Sequence, residues 1–146
     1  MICTLIATAA FVASIQTALP QNLDVIKQRQ NLMKQNGDAA GAAAKMLKGE
    51  TPFDLAAAQA ALKTMVDVAA KMPDLFPDDS KTGDKTTVLP AIWTNKADFN
   101  ARFAKFGSDA SAVLAQTKDK ASFGAAMPAV FKNCGGCHEK YRVKQD

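Results

Sequence analysis

One histidine and three cysteines in 146 residues leave this chain little metal chemistry to choose from. A structural zinc site takes about four Cys or His ligands, and Cys3 lies in a stretch that reads as a targeting segment, so zinc is excluded. No strand-rich stretch accompanies Cys134 and Cys137, which removes the βαβ setting of a dithiol redox motif. A disulfide between these two would close a very short loop and stabilise little. Aromatics are sparse at 7%, while alanine dominates the apolar 48%, a composition suited to closely packed helices. The formal charge of +4 is too mild an excess to indicate nucleic acid.

Charge is also missing from Met1 through Leu23. Residues 1–20 are largely apolar with small residues interspersed, as in a secretory signal, although no Lys or Arg precedes them and the sites near Ala13 and Ala18 match the cleavage pattern poorly. A membrane anchor needs about 20 apolar residues, and Thr4, Thr8, Ser14, Gln16 and Thr17 dilute this stretch. Cleavage would remove Cys3 and leave two thiols in a mature domain over 21–146, outside the reducing cytoplasm.

What is present is concentrated near the C-terminus. Cys134-Gly135-Gly136-Cys137-His138 is the five-residue pattern for covalent attachment of a c-type haem. On a helix the thiols fall at i and i+3 and the imidazole at i+4, all on one face. Two thioether bonds then join a porphyrin edge, and His138 ligates the iron. The glycines let the macrocycle sit close to the backbone.

Four helical stretches precede and include this motif. The first spans about 22–48, with Leu23, Ile26, Met33, Ala40, Ala44 and Leu47 at helical spacing. Gly37 and Gly41 admit a close neighbour, with tight internal packing as the default reading and a subunit interface as the other. The second starts with Thr51 as N-cap and Pro52 at the first helical position. Residues 73–90 are rich in helix breakers and form the one long connection, of the kind that often covers a site. The third starts near Pro90 or Asn95 and runs to Thr117, carrying Trp93, Phe99, Phe103 and Phe106 as core or as the lining of a haem crevice. The fourth runs from about Asp119 to Val143, with Pro128 expected to disturb its first half.

Because His138 is the only histidine, bis-histidine coordination within one subunit is impossible. The sixth position is open or filled from upstream. Met33 is the methionine selected for it, since Arg29 precedes it by one turn and both would face one pocket. Met65, Met72 and Met127 read as core.

The motif continued as Glu139-Lys140-Tyr141-Arg142, the run Val25 to Met33, the Lys48-Gly49-Glu50 turn, Leu75-Phe76-Pro77 and Leu89-Pro90-Ala91-Ile92-Trp93 together resemble cytochrome c′ and its class II relatives. The resemblance implies an all-α, up-down-up-down antiparallel four-helix bundle holding one covalent haem c per chain. It implies thioethers at Cys134 and Cys137, His138 as proximal ligand and Arg142 flanking it. Arg29 is implied near a propionate with Gln30 beside it, and Met33 in the distal position.

A periplasmic protein is therefore expected, one that transfers electrons and binds NO or CO at a five-coordinate, high-spin iron. The Lys81-Thr82-Gly83 loop and the Arg29-Gln30 pair resemble the high-spin members of the family, whereas Met33 itself permits either reading. The alternative is a low-spin carrier in which Met33 ligates the iron and gas binding is lost. Catalysis is not expected, for no distal histidine exists to act as acid or base. A homodimer through the first two helices is implied by the resemblance. Lys132, Lys140, Arg142 and Lys144 either steer an acidic redox partner or simply complement a helix end.

Overall fold

The computed structural model describes residues 21–144; the expected signal segment over 1–20 lies outside them. Helix α1 spans Leu23–Lys48, α2 Leu55–Lys71, the single turn α3 Ala91–Thr94, α4 Lys96–Gln116 and α5 Lys120–Tyr141. The long helices α1, α2, α4 and α5 form the four-helix bundle. Helix α1 packs on α2, α2 on α4 and α4 on α5, but α1 and α5 barely touch. That parting seam is where the cleft described below opens.

Local chemistry fixes the ends. Asn22 caps α1, its side chain accepting from the Val25 N–H at 3.2 Å. At the other end Gly49 adopts φ +76°, a left-handed conformation that favours glycine, and the N–H groups of Gly49, Glu50 and Thr51 return to the Lys45 carbonyl. Thr51 is thus consumed by the end of α1 and does not cap α2. Asp54 does so instead, accepting from the Ala57 N–H at 2.7 Å, so α2 starts later than the Thr51-Pro52 signal predicts. Asp119 and Ser122 form a reciprocal capping box on α5.

Pro128 does not break α5, which is continuous through it. A proline inside a helix costs about 3 kcal/mol, but Phe123, Met127 and Val130 around it are fully buried, and burying such side chains contributes about 1.5–3 kcal/mol each. Both predicted starts of the third stretch exist. Pro90 precedes the turn α3, Asn95 leaves helical geometry at φ −127°, and α4 begins at Lys96.

The core centres on Leu62, Met65 and Val68 of α2, on Met72 just beyond it and on Phe99, Phe103 and Phe106 of α4. Phe99 is its aromatic hub, meeting Phe76, Phe103 and Tyr141 edge to face with centroids 4.7, 5.1 and 5.2 Å away. The buried side of α1 is more polar than predicted. Leu23 is exposed, while Arg29 and Asn36 are buried beside Ile26, Ala43 and Met46. Gly37 and Gly41 are exposed, and a Cβ on either would meet nothing within 4 Å, so tight internal packing is not their role.

The connection between α2 and α4 is tied down near its end. Val88 forms an antiparallel bridge with Arg142, and the N–H groups of Leu89 and Val143 donate to the carbonyls of Tyr141 and Thr87 at 2.9 and 2.8 Å. The connection is thereby stitched to the residues just beyond the Cys-Gly-Gly-Cys-His motif.

Candidate haem site

The motif occupies the last two turns of α5, and Cys134, Cys137 and His138 are all half-buried. A clamp holds it from outside, where Arg102 of α4 donates from Nη1 to the Gly136 carbonyl at 3.0 Å and from Nε to Asp98 at 2.8 Å. The same Asp98 oxygen accepts from Lys140 Nζ at 3.0 Å and from the Tyr141 hydroxyl. Asp98 therefore anchors α5 beyond His138 directly, and before it through Arg102. These three donors hold its carboxyl below the ordinary carboxylate range.

On the inner side two adjoining cavities share Met33, Phe103, Cys137 and His138. The larger has an apolar wall that includes Met72, Phe76, Val88, Ile92 and Phe99, and a polar end at Arg29, Gln30, Thr86 and Arg142. The smaller reaches Cys134, Asn36 and Phe106. All the predicted site residues come together here: Arg29, Gln30 and Met33 from α1, Cys134, Cys137 and His138 from α5, and Arg142 beyond it.

Burial pushes both cysteine thiols up from their ordinary value. Burial, with the Arg142 charge nearby, pushes His138 down. Its neutral imidazole, the form that binds metal, is thereby favoured.

Arg29, implied near a propionate, also holds several protein acceptors. Its Nη atoms donate to the Leu75 carbonyl at 3.2 Å, to Ser80 Oγ and carbonyl at 2.9 and 2.8 Å, and to Thr86 Oγ1 at 2.9 Å. The guanidinium also lies 4.7 Å from the Phe76 ring centroid. Its Nε is buried without a partner, and no carboxylate among the described residues pairs with it. Gln30 is exposed and donates to the Asp84 carbonyl at 2.9 Å.

These features fit an amphipathic macrocycle. Apolar walls would receive its ring, two thiols and one imidazole meet it along α5, and the unused Arg29 donor stands at the polar end for an acidic substituent. Sequence reasoning missed Asp98, Arg102, Tyr141 and Asn36. Only the i, i+4 spacing of Asp98 and Arg102 was a usable signal.

The family model for cytochrome C′ matches residues 24–142. Cytochrome c′ of Rhodopseudomonas palustris is 46% identical over 122 residues, covering 84% of each chain. Its solved structure superposes with a TM-score of 0.81 over 84% of this chain and 98% of that one. Cytochrome c-556 of Agrobacterium fabrum is 46% identical over 121 residues, 82% of each chain. A nitric oxide complex of a cytochrome c prime variant from Alcaligenes xylosoxidans is 25% identical, with a TM-score of 0.74 over 86% of this chain and 98% of that one.

Proposed function

The chain belongs to the cytochrome c′ family and carries covalent haem c, and from that premise we propose a periplasmic electron-transfer protein that also binds NO or CO. Cys134 and Cys137 form the thioethers, His138 is the proximal ligand and Met33 guards the opposite face. One observation carries this reading: Met33 of α1 and His138 of α5 line the same cavities across the seam where those two helices part. The haem supplies an iron that exchanges one electron and offers a sixth position to a small neutral ligand.

The protein's own residues do the rest. The Arg102–Asp98 clamp fixes the helix that bears His138, and burial keeps its imidazole neutral. Phe99, Phe103 and Ile92 give the larger cavity an apolar wall for the ring. Arg29, through Nε, and Gln30 stand where an acidic haem substituent would lie, with Arg142 beyond. The apolar stretch over 1–20 supports export, and the open Gly37/Gly41 face of α1 supports a homodimer through α1 and α2. The redox partner is a separate protein of unassigned identity.

The relatives named cytochrome c-556 favour a second reading, in which Met33 ligates the iron and the protein only carries electrons. One set of ferric and ferrous spectra, with and without CO, separates the two. A gas-binding protein shows broad high-spin bands that shift with CO. A His138/Met33 carrier shows sharp low-spin bands and a sulfur-to-iron charge-transfer band, and resists CO. In either case Met33→Ala raises CO affinity by about tenfold or more, ~1.4 kcal/mol of relieved crowding or competition. Unchanged affinity removes Met33 from the iron's distal side.

A further inference from the structure

Asn36 lies one turn after Met33, is 8% exposed, and lines the smaller cavity with Met33, Cys134 and His138. Its Nδ2 stands 4.0 Å from the Met33 sulfur, and its Oδ1 is buried with no hydrogen-bond partner. A buried amide oxygen without a partner costs stability, a cost that leucine, close to Asn in length, does not carry. Packing alone therefore does not account for asparagine here. Unsatisfied polar groups of this kind concentrate at functional sites. The thioether beside it is a weak acceptor on a flexible stem, and an N–H within reach selects among its conformers.

We propose that Asn36 is a positioning residue for the sixth coordination site: its amide N–H holds the Met33 thioether across the cavity from His138, so that the Asn36–Met33 pair sets access of small ligands to the iron. The inference rests on Met33 being the distal residue, and it applies whether the sulfur blocks the iron or binds it. In both cases losing the amide frees the thioether and eases ligand entry. The side of the cavity that Met33 lines thus contains one polar group with a task.

The test uses the full-length, haem-loaded protein in five forms: unaltered, Asn36→Leu, Asn36→Ala, Met33→Ala and the Asn36→Leu/Met33→Ala double variant. CO titration of the ferrous protein is the main readout, with the ferric spectrum and thermal unfolding alongside. Losing a weak hydrogen bond to sulfur raises CO affinity about twofold in either Asn36 variant. The ferric spectrum moves in the direction that Met33→Ala moves it. The thermal midpoint of Asn36→Leu holds or rises. In the Met33→Ala background the Asn36 effect vanishes, the mark of a residue acting through another.

Should Asn36→Leu fail to accumulate, Asn36→Ala carries the same expectation. Unchanged CO affinity in both Asn36 variants, or an equal gain with and without Met33, overturns the proposal. If Met33→Ala raises CO affinity and the Asn36 variants do not, only the role of Asn36 falls. If Met33→Ala changes nothing, the distal reading of Met33 falls with it.

Discussion

Arg29 and Asp98 show how single charges organise this molecule. Arg29 is buried and places four hydrogen bonds on residues 75–86, so truncation strands several buried acceptors at once. Arg29→Met is expected to lower stability by about 3 kcal/mol, read from urea unfolding. Unaltered stability would show the network to be dispensable. Asp98 makes a pH prediction. Its folded carboxyl lies below the unfolded value of 3.8, so its contribution is complete above that value and lost as pH falls further. Asp98→Asn is therefore expected to be less stable at neutral pH and to lose less stability between about pH 4 and 2. Equal acid sensitivity in the two proteins refutes the assignment. The haem motif was legible from sequence because covalent attachment demands a fixed local spacing. Asp98 and Tyr141, 43 positions apart, were not, since only the packing of α4 on α5 brings them together.

At the scale of the element, caps and turns outweighed raw propensity. Asp119 was read correctly at the start of the fourth helix because its cap is local. The start of α2 was misplaced by the stronger claim of the preceding helix on residues 49–51. Gly83 is where the connection turns at φ +105°, and a Cβ there would stand 2.8 Å from Leu23 Cδ2. Gly83→Ala is expected to cost about 1–2 kcal/mol from backbone strain and crowding. Differential scanning calorimetry checks it, and an unshifted transition would contradict the assigned strain. Because this connection also bridges Val88 to Arg142, its loosening would be felt at the end of α5.

At the scale of the whole molecule, the number and order of the long helices were readable from apolar periodicity, and their up-down arrangement came from resemblance. A pocket shared by Arg29 and Met33, with the rings of α4 as its lining, was among the readings, but the seam that opens it was not readable. It exists because α1 and α5 carry half-buried Met33, Cys137 and His138 where two helices in a plain bundle would interlock. Neither periodicity nor composition encodes that shortfall of contact.

Met46, Met65, Met72 and Met127 are at most 4% exposed, which leaves Met33 as the half-buried methionine among the described residues. In the haem-free chain, dilute hydrogen peroxide should accordingly add one oxygen at Met33 before it reaches those four, as peptide mass mapping would reveal. A sulfoxide there is polar and reversible by dedicated reductases. Oxidant that arrives before the haem is attached would then mark this protein first on a side chain that lines the cavities with His138, sparing the core that keeps it folded.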